Sequence, residues 1–144
     1  MKIKVINRSA FELPHYETVS AAGLDVRANT TESIVLEPLQ RALVPTGLYV
    51  EIPDGYEIQV RPRSGLAAKH GISIANAPGT IDPDYRGEIT VVLLNTSNEE
   101  RRLRRGDRIA QLVFQPALQV ELEECETLGA TGRGSGGFGH TGKH

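Results

Sequence analysis

Apolar and polar residues alternate in short runs along most of the chain, beginning with residues 2–6. Alternation with a period of two is typical of a half-buried β-strand. Turn-forming Gly, Pro, Asn or Asp residues separate the runs, as in the segment 53–55. The pattern predicts strands over residues 2–6, 24–28, 33–36, 42–44, 48–52, 56–60, 72–74, 89–94, 107–114 and 118–122. Many short strands with closely spaced turn signals indicate an all-β sandwich, barrel or jelly roll.

One short helix is predicted, over residues 64–69. Ser64 is the candidate N-cap of this helix, and Gly71 is the candidate residue that ends it. The chain shows no alternation of strands with long helices, so a parallel α/β sheet is not expected. We find neither an internal repeat nor an interdomain linker, which indicates a single domain.

The composition changes near residue 126. Residues 127–144 are rich in glycine, and Leu128 and Phe138 are their only bulky apolar residues. Such a segment cannot bury enough surface to offset the entropy that is lost on ordering. We therefore expect a β domain over residues 1–125 and a flexible glycine-rich tail over residues 126–144. Alternatively, glycines around Arg133 let backbone N–H groups converge on a phosphate while Phe138 stacks on a base.

Bulk composition excludes several classes of protein. The 144 residues are 39% hydrophobic and 24% charged, as in an ordinary globular domain. A net charge of -2 argues against a stable nucleic-acid partner, because such domains are usually strongly basic. The single Cys125 excludes an intrachain disulfide framework. We expect a cytoplasmic protein without membrane association, since the sequence shows neither a membrane-length apolar segment nor a signal peptide.

The segment 79–89 carries more polar chemistry than a turn requires. Two carboxylates, a proline, a tyrosine and an arginine lie between Gly79 and Gly87, just before an apolar run. A simple chain reversal needs only a glycine and one aspartate. These residues alone leave two interpretations open, a solvated hairpin and a reactive site.

The segment 61–65 leads from a predicted strand into the predicted helix. Its two arginines, its hydroxyl group and the free N–H groups of a helix start are suited to phosphate. Solvated arginines beside an N-cap are the alternative. Residues 101–108 are also rich in arginine, and a solvated hairpin is the simpler interpretation than a nucleic-acid patch.

Two polar residues lie inside apolar strands. Asp25 needs either an ion pair or a place in a site, because an isolated buried charge is costly. Strand alternation predicts that Gln111 shares one face with Ile109 and Val113, opposite Ala110. A glutamine in such surroundings needs a hydrogen-bond partner, which could be a ligand. Together with the arginines and glycine-rich turns, these residues indicate a nucleotide phosphate ligand with help from a hard metal ion.

The five polar segments resemble, in the same order, the five motifs of the trimeric dUTPases (deoxyuridine triphosphate nucleotidohydrolases). The matching residues are 22–26, 63–67, 79–87, 106–111 and 133–139, and the resemblance covers residues 20–142. The resemblance implies a single-domain, jelly-roll-like β barrel that assembles as a homotrimer, with active sites shared between subunits. Small departures from the family pattern are Val26, Pro83 and His140.

The resemblance also implies an activity, the hydrolysis of dUTP to dUMP and pyrophosphate by attack of water on the α-phosphorus. Such an enzyme limits uracil incorporation into DNA and supplies dUMP for dTMP synthesis. Asp82 matches the family's general base, since an ionised aspartate can deprotonate a water within hydrogen-bond reach. Asp84 is then a structural turn residue. Tyr85 matches the ring that lies under the deoxyribose and excludes ribonucleotides.

Further roles follow from the same resemblance. Asp25 matches the acid that holds Mg²⁺ through water, and Phe138 matches the aromatic ring that stacks on uracil when the tail closes. The hairpin 72–79, with Asn76, resembles the family's uracil pocket. The substrate-binding set implied in this way is Arg63, Ser64, Gly65, Asn76, Gly79, Thr80, Ile81, Asp82, Tyr85, Gln111, Arg133, Phe138 and Gly139. Two alternatives remain, a deoxycytidine triphosphate deaminase of related fold and a non-catalytic nucleotide-binding protein.

Overall fold

The computed structural model describes residues 1–137. It has eleven strands and one helix. In chain order these are β1 Lys4–Asn7, β2 Gly23–Arg27, β3 Ile34–Leu36, β4 Arg41–Pro45, β5 Leu48–Glu51, β6 Tyr56–Arg61, α1 Ser64–His70, β7 Ile72–Ile74, β8 Gly79–Ile81, β9 Thr90–Asn95, β10 Arg101–Leu103 and β11 Arg108–Pro116.

Two antiparallel sheets form the body of the molecule. One has four strands in the order β2-β11-β6-β8, and the other has three in the order β4-β9-β7. Two further pairs, β1 with β5 and β3 with β10, complete the structure. Buried residues of both sheets, such as Val26 and Leu112 on one and Val91 and Leu93 on the other, belong to one core. This is the predicted all-β jelly roll.

Inside the core, the buried polar side chain of Asn95 is fully hydrogen-bonded. Its Nδ2 donates to the carbonyl oxygens of Leu36 and Glu99, both at 2.8 Å. Its Oδ1 accepts from the backbone N–H of Ser97 at 2.9 Å. A buried amide in such a network costs little free energy and fixes the geometry of the turn that follows β9.

The predicted strand over residues 118–122 is wrong. Residues 117–137 contain neither a helix nor a strand. Leu118, Val120 and Leu122 are 89%, 68% and 90% exposed. Alternation describes only which face a strand would bury, whereas a strand also needs a neighbouring edge to pair with. Two strands were not predicted, β8 and β10, which form by pairing with the distant strands β6 and β3.

The predicted helix is confirmed, and so is its C-terminal stop. Gly71 adopts the left-handed conformation at φ 64°, and its N–H donates to the carbonyl of Ala67 at 3.2 Å. The predicted N-cap is wrong. Arg63 occupies the N-cap position without a side-chain cap hydrogen bond, and Ser64 is the first helical residue.

Among residues 1–137, no helix is long and apolar enough to cross a membrane. The cytoplasmic location stays a prediction, as do the domain boundary at residue 125 and the flexibility of the tail.

Candidate functional site

A pocket of about 190 Å³ lies where β8 leads into the loop before β9. Its lining joins most of the residues that were predicted to hold a nucleoside with residues of β6 and β9. They are Val60, Asn76, Gly79, Thr80, Ile81, Asp82, Tyr85, Glu88, Ile89, Thr90 and Val92. The hairpin that enters the pocket contains a cis peptide bond between Ala77 and Pro78.

Two hydrogen bonds hold Tyr85, one from its side chain and one from its backbone. Its hydroxyl donates to the carbonyl oxygen of Glu88 at 2.9 Å, and its N–H donates to the carbonyl oxygen of Asp82 at 3.2 Å. The carboxylate of Glu88 accepts in turn from the N–H of Gly47 at 2.7 Å. Sequence reasoning missed Glu88, because nothing local indicates that it joins two distant loops.

Gly87 makes this position of the ring possible. A Cβ atom built on Gly87 would lie 2.3 Å from the hydroxyl oxygen of Tyr85 and 2.4 Å from its Cζ. The ring therefore packs directly on the backbone, and any larger residue at this position would displace it. The side chain remains partly accessible, since Tyr85 is 45% exposed.

The two aspartates of the loop occupy different surroundings. Asp82 lines the pocket, and its carboxylate makes no hydrogen bond to any group within residues 1–137. Both side chains are exposed, and Asp84 also lacks a side-chain hydrogen bond among these residues, but Asp84 does not line the pocket. The guanidinium of Arg86 folds back onto the loop and donates to the carbonyl oxygens of Pro83 and Tyr85 at 2.6 and 3.0 Å. A carboxylate at a pocket wall without a partner is available to a water or a ligand.

A second cluster centres on Asp25 of β2. Its Oδ1 lies 3.0 Å from Nε of Arg63, and its Oδ2 lies 3.2 Å from Nη1 of Arg108. The sequence left two alternatives for Asp25, an ion pair and a place in a ligand site. The structure shows the ion pair. Arg108 was not predicted as a site residue. It lies within the fourth motif, but only the three-dimensional structure shows its contact with Asp25.

A β-bulge determines which side chains reach this cluster. The register between β11 and β2 shifts between Arg108 and Ala110, so that Arg108 lies opposite Arg27 while Gln111 lies opposite Asp25. Arg108 and Gln111 thereby face the same outer side of the sheet. The predicted place of Ile109 beside Gln111 is wrong, because the bulge turns Ile109 into the core, where it is 1% exposed.

Gln111 does find a partner, as its position requires. Its Nε2 donates to the carbonyl oxygen of Pro62 at 2.9 Å. Its other amide atom lies against Gly23, where an added Cβ would approach Oε1 to 2.3 Å. Gln111 is therefore held beside the segment that leads into α1.

Ser64 and Gly65 lie at the exposed start of α1. The first helical hydrogen bond runs from the N–H of Ala67 to the carbonyl of Arg63 at 3.0 Å, so the preceding N–H groups are not used within the helix. A Cβ added to Gly65 would meet no atom within 4 Å. Packing within the chain does not explain this glycine, and the space in front of it is open.

Arg133 is engaged only locally within the described tail. Its Nε donates to the carbonyl oxygen of Gly136 at 2.7 Å, inside a turn that also joins Gly134 to Thr131. Phe138 and Gly139, together with His140, lie outside the described residues.

The residues predicted to hold the nucleoside lie together in one pocket. Arg63, which was predicted to bind phosphate, lines a different pocket. That second pocket, of about 420 Å³, is strongly basic. It is lined by Arg27, Arg63, Leu66, His70, Ile72, Arg101, Arg102, Leu103, Gly106, Asp107 and Arg108. Asp82 and Arg63 thus line separate pockets of one chain.

Comparison with known proteins gives a consistent result. The family model for dUTPase matches residues 9–142. The chain belongs to the dUTPase family. A deoxyuridine 5'-triphosphate nucleotidohydrolase of Fusobacterium nucleatum is 57% identical over 143 residues, 99% of this chain and 98% of the relative. One from Finegoldia magna is 54% identical over 142 residues, covering 99% of both chains. The enzyme is therefore a dUTP diphosphatase, and it hydrolyses dUTP.

Solved structures of dUTPases share the fold. The dUTPase of Staphylococcus bacteriophage 80alpha, solved with dUpNHpp, has a TM-score of 0.88 at 28% identity, with 98% of both chains covered. A mutant dUTPase from phage phi11 of S. aureus, described with a structural Mg(II) ion, has a TM-score of 0.80 at 25% identity. The comparison covers 90% of this chain and 100% of that one.

Proposed function

We propose that Asp82 is the general base of dUTP hydrolysis and activates a water for attack on the α-phosphorus. The observation that carries this proposal is the Asp82 carboxylate, which lines the nucleoside-sized pocket without a hydrogen-bond partner among residues 1–137. A carboxylate in this state can accept a proton from a water that it orients. Bond formation to phosphorus then expels pyrophosphate and leaves dUMP. Removal of dUTP limits uracil in DNA, and the dUMP that is formed is the precursor of dTMP.

The nucleoside is held in the same pocket. The exposed face of Tyr85 supports the deoxyribose, and a 2′-hydroxyl has no room beside a ring that Gly87 and Glu88 hold in place. Asn76 and the backbone of Gly79, Thr80 and Ile81 surround the uracil. Backbone groups of a strand edge offer fixed donors and acceptors, which discriminate bases by hydrogen-bond polarity.

The triphosphate is held by Arg63, by the N–H groups of Ser64 and Gly65, and by Gln111. The open space before Gly65 supports close approach of phosphate oxygens to the backbone. Arg133 adds a further guanidinium, and Phe138 and Gly139 close over the nucleotide.

Magnesium is the metal that fits these residues. Among residues 1–137, no group of three or more His, Cys, Asp or Glu side chains is placed to hold an ion. Mg²⁺ commonly keeps several waters and binds through one carboxylate and the substrate's phosphates, which requires only Asp25 from this chain. When bound, the ion neutralises charge on the phosphate oxygens and on the leaving pyrophosphate.

We propose a homotrimer in which neighbouring subunits complete each site. Asp82 and Arg63 line separate pockets of one chain. A complete site would therefore combine the nucleoside pocket of one chain with the phosphate-binding residues of a second chain. Apolar surface that a monomer would leave in water supports the association. The segment 118–122 exposes three large side chains, and an apolar groove of about 440 Å³ lies beside β1 and includes Ile3, Leu13 and Phe114.

The direct test is pyrophosphate release from dUTP with Mg²⁺ at neutral pH, with UTP, dTTP and dCTP as controls. We expect release from dUTP alone. Conversion of dCTP to dUTP without pyrophosphate would instead indicate a deaminase, and nucleotide binding without any product would indicate a non-catalytic protein.

A further inference from the structure

Arginines hold the carboxylate of Asp25 from both sides. Arg63 occupies Oδ1 at 3.0 Å and Arg108 occupies Oδ2 at 3.2 Å. The Asp25 side chain is only 20% exposed. Oδ1 accepts a hydrogen bond from Arg63, and Oδ2 is ion-paired with Arg108. A cation that approaches Asp25 through its waters is therefore repelled by two guanidinium groups, and the departure of one arginine removes part of this repulsion.

Arg108 is the arginine that is tied in place. Its Nη1, the same atom that faces Asp25, also lies 3.0 Å from Oε1 of Glu17 in the segment before β2. The β-bulge at the start of β11 directs the Arg108 side chain to the outer face of the sheet. The remaining contact of Arg63 in this cluster is long, 3.4 Å from its Nη1 to the carbonyl oxygen of Arg108. Arg63 is therefore the exchangeable partner of Asp25.

We propose that Arg108, held by Glu17, is a positioning residue that keeps Asp25 compensated and in place when Arg63 moves to the triphosphate. This inference rests on the proposed function, in which Arg63 binds phosphate. The exchange frees Oδ1 of Asp25 for metal-bound water while Oδ2 stays on Arg108. Without Arg108, the departure of Arg63 would leave a largely buried carboxylate without a counter-ion, which is costly.

Cooperative binding of the triphosphate and Mg²⁺ is the consequence. Each ligand favours the arrangement in which Arg63 and Asp25 are separated, so each raises the population that the other binds. Removal of Arg108 should weaken this coupling, because the separated arrangement then becomes less favourable in the free protein.

The test measures binding of the non-hydrolysable analogue dUpNHpp by calorimetry, with and without Mg²⁺. The wild-type protein should bind it more tightly with Mg²⁺, and Arg108→Gln should lose about five- to tenfold of that gain. Arg108→Lys should recover part of the loss, since the ammonium can still pair with Asp25. The matched control is Arg41→Gln, an exposed arginine at the start of β4 that lines neither pocket, and it should keep the full gain.

Glu17→Ala provides an independent variant on a half-exposed side chain, where misfolding is not expected. It should reduce the Mg²⁺ gain in the wild-type background and have no further effect in Arg108→Gln, because both act through one contact. Additive losses would overturn the inference. So would an unchanged gain in Arg108→Gln, or equal wild-type affinity with and without Mg²⁺.

The outcomes separate this inference from the proposed function. If the wild type releases pyrophosphate from dUTP while Arg108→Gln keeps the full Mg²⁺ gain, only the role of Arg108 is wrong. If the wild type neither binds dUpNHpp nor releases pyrophosphate, both proposals are overturned.

Discussion

At the scale of single residues, the loop after β8 shows how a glycine can control a side chain two positions away. The Tyr85 ring lies on the backbone of Gly87, and its hydroxyl donates a hydrogen bond to the carbonyl oxygen of Glu88. The ring is thereby placed before any nucleotide arrives. Preorganised contacts of this kind cost less on binding than contacts that must first be ordered.

Gly87→Ala tests this placement. The new methyl group would overlap the ring and move Tyr85, so the discrimination against ribose should weaken. We expect kcat/KM for dUTP to fall about tenfold and the ratio of UTP to dUTP hydrolysis to rise by a similar factor. Gly129→Ala is the matched control, because a Cβ there meets no atom within 4 Å. Unchanged selectivity in Gly87→Ala would argue against Tyr85 as the sugar contact.

The two aspartates of the same loop offer a matched pair of variants. Asp82→Asn removes the proposed base while it preserves shape, so turnover should fall by about 10²- to 10⁴-fold with little change in dUpNHpp binding. Asp84→Asn should retain nearly normal turnover, because Asp84 does not line the pocket. Steady-state kinetics and calorimetry on both variants check this, and equal effects would remove the distinction between them.

At the scale of elements, β1 pairs with only one of the described strands, β5. Lys4 lies directly opposite Glu51, with Nζ and Oε1 2.7 Å apart. The hydrogen bond and the charge of Lys4 lower the pKa of Glu51 below its ordinary value of 4.5. The pair therefore favours the folded state above pH 4.5, and this contribution disappears as the pH falls through the lowered pKa.

Lys4→Met should return the pKa of Glu51 towards 4.5, since the main cause of its shift is removed. An NMR titration of the Glu51 carboxyl group measures this directly. Lys2→Met is the control, and it should leave the Glu51 titration unchanged. A pKa that stays low in Lys4→Met would show that another group holds it there.

Most elements were predictable because their signals are local. The helix α1 and its end at Gly71 follow from a few adjacent residues, as do the longer strands. The failures share one cause, which is dependence on a distant partner. The strands β8 and β10 exist because β6 and β3 offer edges to them, and residues 118–122 form no strand because they have no such edge.

At the scale of the whole molecule, the unpaired segment 118–122 suggests a role in assembly. Replacing Leu118, Val120 and Leu122 together with serine should shift the protein from the proposed trimer towards monomer, because the apolar area available to the interface falls. Sedimentation velocity measures the shift. Leu128→Ser is the control, as this side chain is 89% exposed but lies outside the segment. A trimer that persists in the triple variant would exclude the segment from the interface.

The proposed sharing of sites between subunits has a further consequence that subunit mixing can reveal. Asp82→Asn protein and protein that ends at residue 132 should each be inactive. Mixed trimers should recover part of the activity, since an intact Asp82 and an intact tail can then meet in one site. The readout is pyrophosphate release after verified subunit exchange. No recovery would indicate that each site is built from one chain.

Local sequence was sufficient for most of the strands and for the helix, because alternation and turn chemistry act between near neighbours. Tertiary structure decided the rest. It paired Asp25 with two arginines, and it turned Arg108 outward through a bulge. It also placed Gly87 under the ring of Tyr85. These features depend on strand register and on contacts between distant residues, which no local pattern encodes.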